Sequence, residues 1–155
     1  MEVFIMPFKF VERDDFYIGG CSVETTLVNS SKDIALLFQS YESKNFALKE
    51  AEHYGLMWYT QGHERYRYLV GKETPCSSSI PIGLELKHIP KALFAVASYP
   101  HGYDNTKAWT DFFFTDIPTM GYTPNYEHGY FFEYYPNGAE GDFELWTPVE
   151  KVKEN

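Results

Sequence analysis

Tyr130-Phe131-Phe132-Glu133-Tyr134-Tyr135-Pro136-Asn137-Gly138 and Asp142-Phe143-Glu144-Leu145-Trp146-Thr147-Pro148-Val149 read as strand, turn, strand. Aromatic and branched residues favour pleated, half-buried surfaces, and Pro-Asn-Gly supplies the turn. Upstream, Thr106 is a candidate cap for a helix carrying Trp109, Phe112, Phe113 and Ile117, ended or kinked by Pro118. Before it lie two strands, Ile82 to Ile89 and the strongly apolar Lys91 to Tyr99.

The first half carries the same pattern. Phe8 to Val11 and Phe16 to Leu27 read as strands, with Gly19-Gly20 as a bulge or bend. Ser30 and Asp33 have capping-box spacing, and Ile34, Leu37, Phe38 and Tyr41 recur at helical intervals. Lys44 to Glu52 extends or interrupts that helix. Strands Tyr54 to Thr60 and Arg65 to Val70 follow around Gln61-Gly62-His63, and Lys72 to Ser79 joins the halves. Each half is strand, helix, strand, strand. The expected fold is α+β: duplicated β-α-β-β units forming one antiparallel sheet, helices on one face, a central ligand cleft. The expected domain is single, with pseudo-repeats about 1–72 and 80–155.

Composition narrows the function. The chain has 13 basic against 22 acidic residues and a net charge of −9. That balance argues against nucleic-acid binding, where Lys and Arg neutralise phosphates. No stretch approaches the ~20 apolar residues of a membrane span, and the first residues do not read as a signal peptide. Cys21 and Cys76 lack metal or redox spacing, and the five histidines do not cluster, so neither a metal nor a cofactor is expected. A cytoplasmic protein is the expectation.

Aromatic residues form 19% of the chain, with Tyr and Phe at thirteen each. Branched aliphatics fill a core without polar tips, whereas Tyr and Trp give flat walls with hydrogen-bonding edges suited to a guest. Strand alternation puts Glu144, Trp146 and Pro148 on one face and Phe143, Leu145 and Thr147 on the other. A carboxylate beside an indole is an odd choice for a plain core. Tyr66 and Tyr68 share a face, and with Tyr134 they are stacking candidates. Trp58 and Tyr59 face opposite ways, so one of them lines a cleft. Trp109 serves either as a core anchor or as a ligand contact.

From Leu84 to Val149 the chain resembles the GyrI-like small-molecule-binding family, which includes gyrase-inhibitor proteins and effector domains of AraC-type and MerR-type multidrug regulators. His88-Ile89-Pro90, Ala92 to Val96 and His101-Gly102 carry the likeness first. Trp109 with Ile117-Pro118-Thr119-Met120-Gly121-Tyr122 is similar to a tryptophan-anchored helix ending in a Pro…Gly-Tyr turn. Phe132-Glu133-Tyr134 and Glu144-Leu145-Trp146-Thr147-Pro148-Val149 are similar to the closing strands. The resemblance implies a stand-alone member without a DNA-binding segment. It makes Glu133 and Glu144 counterparts of the glutamates that face cationic dyes.

Two functions follow. One is a binder of flat aromatic, cationic small molecules, with Glu133, Glu144, Trp146, Trp109, Tyr66, Tyr68, Tyr134 and Trp58 at the site. The other, implied by the resemblance, is a hydrolase opening the cyclopropane of DNA-alkylating natural products. There Glu144 activates water as general base, and Tyr134 or Tyr68 polarises the conjugated carbonyl. Inhibition of a topoisomerase rests on the family's name alone. Exposed strand edges are compatible with a homodimer.

Overall fold

A computed structural model describes residues 8–42, 52–62, 64–75 and 83–153. The strands are β1 (Phe8–Arg13), β2 (Phe16–Thr26), β3 (His53–Gln61), β4 (Arg65–Glu73), β5 (Glu85–Ile89), β6 (Ala92–Tyr99), β7 (Tyr122–Pro124), β8 (Phe131–Tyr135) and β9 (Phe143–Lys151). Helix α1 (Ser30–Glu42) follows β2, and α2 (Asn105–Asp111) follows β6. All pairings are antiparallel, in the order β1-β6-β9-β8-β3-β4-β2-β5, with β7 on the far end of β9. The order reads alike outward from the β8–β3 seam. Each edge strand pairs across: β1 lies on β6, and β5 lies on β2.

The sheet is curled. Phe16 on β2 and Phe132 on β8 stand three strands apart, roughly 14 Å in a flat sheet at ~4.8 Å per strand, yet their rings are 5.7 Å apart. Curling gathers Phe16, Tyr54, Leu56, Phe94, Phe132 and Trp146 into one core on the concave side. Successive residues point to opposite sides, so Met57, Tyr68 and Val70 meet Leu37 and Tyr41 of α1 on the convex side. Ala95, Ala97, Leu145 and Val149 meet Ala108 and Phe112 there in the same way. Both helices therefore cover one face.

Several local expectations are corrected. The cap of α2 is Asp104, whose carboxylate accepts from Lys107 N–H at 2.9 Å, and not Thr106. Ser30 and Asp33 form no capping box: Ser30 donates to Leu27 O, and Asp33 accepts from the Thr25 hydroxyl. Gly19-Gly20 lies inside an unbroken β2, where a Cβ on Gly20 would strike the Val70 carbonyl of β4. Lys72 and Glu73 belong to β4 rather than to a joint, and β7 is a strand that the sequence pattern does not predict. The expected joint beyond Pro75 and the segment Lys44 to Ala51 lie outside the described residues. After α2 the chain widens into a π-helical turn at Phe112–Asp116, Ile117 N–H reaching Phe112 O, then closes with Ile117–Thr119. Pro118 has no N–H and its ring would crowd the carbonyl four residues back, so a regular turn is unavailable there. No helix among the described residues is long and apolar enough to cross a membrane.

Candidate functional site

Glu133 sits in the middle of β8, next to the seam, and is 5% exposed. Four side chains reach it. The Tyr68 and Tyr135 hydroxyls donate to Oε1 at 2.7 and 3.0 Å. Trp109 Nε1–H and Asn105 Nδ2–H donate to Oε2 at 2.9 and 3.4 Å. None of the ion pairs among the described residues includes it. Burial pushes its pKa above the ordinary 4.5, and the four donors pull against that rise without cancelling it. The same burial, together with the carboxylate, raises both tyrosine pKa values.

Each donor has a local cause. Tyr135 is two residues along β8 and so shares the face of Glu133. Asn105 and Trp109 stand four apart on α2, one turn above the other. Tyr68 belongs to β4, with β3 between it and Glu133. Gly55 fills that gap, pairing with Val70 on one side and with Glu133 on the other. Its missing side chain lets the Tyr68 hydroxyl cross over β3, and a Cβ there would collide with it. Gly55→Ala is expected to break the Tyr68–Glu133 bond and lower stability by about 2 kcal/mol. Urea denaturation checks this, and an unchanged midpoint would contradict it.

Stability should also follow pH through Glu133. Its folded pKa lies above its unfolded value, so its contribution is full below about 4.5 and fades as pH rises through the folded value. Glu133→Gln lacks that slope. Its stability relative to the parent should therefore climb from acid toward neutral pH, measured as paired melting temperatures.

The eight residues expected at one site divide between two faces. Tyr66, Tyr68, Trp109 and Glu133 gather on the helix side. Trp58, Tyr134, Glu144 and Trp146 lie on the concave side. There Glu144 accepts from Trp146 Nε1 at 2.9 Å, and Tyr134 donates to Glu52 at 2.6 Å. Tyr134 and Glu144 are register partners, but Tyr68 lies across the sheet from them. Of the two tyrosines offered as partners of Glu144, Tyr134 is thus brought beside it and Tyr68 is not. A cation already lies among those concave rings: Arg13 stands 3.6 Å over Phe16 and 5.5 Å from Trp146, bonded to the Tyr54 hydroxyl and Glu73. Trp58 turns toward Lys87 and Tyr130, so Tyr59 is its helix-side neighbour, packed on Phe131.

Two hollows open near Glu133. One, of about 300 Å³, is lined by Phe38, His53, Tyr103, Asn105, Tyr135 and Phe143, among others. It includes two of the four Glu133 donors. His53 is stacked on Tyr135 at 4.7 Å within it. The other, of about 220 Å³, lies beyond Phe131. Asn105, Tyr135, Gly55 and His53 were not anticipated. Strand alternation from Glu133 would have found Tyr135, and a glycine inside a strand pattern signals close approach. No group of three His, Cys, Asp or Glu side chains among the described residues could hold a metal ion.

Residues 9–149 match the family described as Cass2: Integron-associated effector binding protein. A search of curated proteins finds no significant match. Among solved structures, an integron cassette protein from the mobile metagenome of Vibrio cholerae superposes with a TM-score of 0.67 at 14% identity, covering 92% of this chain and 95% of that one. SAV2435 bound to tetraphenylphosphonium gives 0.71 at 12% identity, covering 94% of each chain. The EcmrR C-terminal domain gives 0.63 at 14% identity, covering 96% of this chain and 100% of that one. At such identities the likeness is one of fold.

Proposed function

The chain belongs to the Cass2 family of integron-associated effector-binding proteins, which has the GyrI-like fold and binds small molecules, and from that premise we propose that its ligand is a flat aromatic cation held at Glu133. The observation that carries the reading is a buried carboxylate with four neutral donors and no basic partner among the described residues. A buried charge is costly unless paired, and burial raises the pKa of this carboxyl accordingly; a ligand's positive charge is the partner that would favour its ionised form. The hollow of about 300 Å³ beside it supplies ring faces from Phe38, Tyr103, Tyr135 and Phe143. A cation over such faces gains on the order of 0.5–2 kcal/mol. The concave carboxylate Glu144 is the weaker candidate, because Arg13 already fills the ring-walled slot near it. Tetraphenylphosphonium, the ligand of the fold neighbour SAV2435, is tetrahedral rather than flat, and it probes the recognition of positive charge. Calorimetric titration should give tighter binding for it than for uncharged triphenylphosphine oxide, and equal affinities would overturn the reading. We also read the chain as one domain of two repeats, about 1–72 and 80–155, meeting at the seam beside Glu133.

The hydrolytic alternative has less support. A general base needs a free lone pair for water, whereas Glu133 has each oxygen engaged twice; Glu144 keeps lone pairs beside its one bond from Trp146, but Arg13 fills the ring-walled slot near it. Mass spectrometry of a cyclopropane-bearing alkylator incubated with the protein tests it directly, ring-opened product being the result in its favour.

A further inference from the structure

The second hollow is a product of the topology. β8 and β9 pair only from Phe132↔Trp146 to Tyr134↔Glu144. Beyond that point β9 continues and takes β7 as partner, Pro124 opposite Val149. The ladder therefore parts between Phe131 and Thr147, and the gap is a hollow of about 220 Å³. Its far wall is pinned at both ends of one loop. Asn125 N–H donates to Pro148 O at 2.7 Å, and His128 Nε2 bonds Pro90 O at 2.7 Å. Its lining is chemically different from that of the first hollow. Tyr59, Tyr126, Tyr130, Phe113 and Phe131 present rings between two prolines, and among the described residues no Asp, Glu, Lys, Arg or His lines it.

We propose that this gap is a second subsite, taking an uncharged fused-ring arene independently of the carboxylate site. An apolar cavity of ~150 Å³ accepts one benzene ring, so this volume suits two fused rings. Ring walls bind such a guest face-on or edge-on. The absence of any carboxylate, imidazole, ammonium or guanidinium among the described lining residues gives charge nothing there to recognise. Tyr59, 36% exposed, and Tyr126, 59% exposed, stand at its margin as half-open walls. The inference does not rest on Glu133 holding a cation, since Glu133 does not line this gap.

The test uses 2-naphthol, uncharged at neutral pH, followed by its own fluorescence. Binding should weaken about tenfold in Tyr59→Ala and again in Tyr126→Ala, both partly exposed positions whose truncation leaves the buried cores intact. Glu133→Gln should leave naphthol binding unchanged, and Tyr59→Ala should leave tetraphenylphosphonium binding unchanged. No naphthol binding, or binding indifferent to both tyrosine variants, overturns the subsite. Loss in Glu133→Gln overturns it as well, by placing the arene at the carboxylate. Failure of the cation reading alone would show as absent phosphonium binding with the naphthol result intact.

Discussion

Glu133→Gln should weaken tetraphenylphosphonium binding by about 30-fold while leaving triphenylphosphine oxide within about threefold. The figure follows from losing one charge-assisted contact in a desolvated site, about 2 kcal/mol. The fold should survive the change. Trp109 Nε1 and Asn105 Nδ2 only donate, so the glutamine oxygen must turn toward them. Its amide nitrogen then faces the Tyr68 and Tyr135 hydroxyls, which can accept as readily as donate. All four partners stay satisfied, and only the charge is gone. A change in affinity therefore reports recognition of charge rather than a collapsed site. Retention of full phosphonium affinity would sink the cation reading. An equal loss for the neutral oxide would do so too, because it would mean the cavity had lost its shape.

The strands and helices were legible because their causes are local. Alternation along Phe143–Lys151 and the helical spacing of Leu37 and Tyr41 depend on neighbours within a turn or two. The edge exchange of β1 and β5 depends on contacts between halves, which no local period encodes. The site was half legible for a related reason. Alternation within one strand separates Glu133 from Tyr134, but matching faces between strands requires the register, here Tyr134 opposite Glu144. A seven-residue connection with two glycines leaves that register open to the reader. Without it the sequence places Glu133 and Glu144 in one cleft, although the sheet lies between them. Gly55 carries a signal of its own: a glycine beside Tyr54, inside an aromatic strand, has no packing purpose there. β7 is three residues long and includes a proline, below what any pattern distinguishes from loop.

The curl of the sheet offers the other large effect. Phe132→Ala should cost about 4 kcal/mol, because its ring is wholly buried and stands where the curl closes. It stacks on Trp146 at 5.4 Å and meets Phe16, Tyr54 and Phe94 at 5.5–5.7 Å. These partners come from β9, β2, β3 and β6, so one ring joins strands from both ends of the sheet order. Its removal leaves a void that four bulky neighbours on separate strands cannot fill by small shifts. For a chain of this length that energy corresponds to a drop in melting temperature of roughly 10 °C. Phe131→Ala makes the control: that ring is half-buried on the other face and should cost markedly less. The pair also tests the separation of faces. Phe132 points away from Glu133, so the surviving folded fraction of Phe132→Ala should bind tetraphenylphosphonium with its parent affinity. If it instead lost both stability and cation affinity in proportion, the two faces would be one coupled unit, and the assignment of Glu133 to a site of its own would fail.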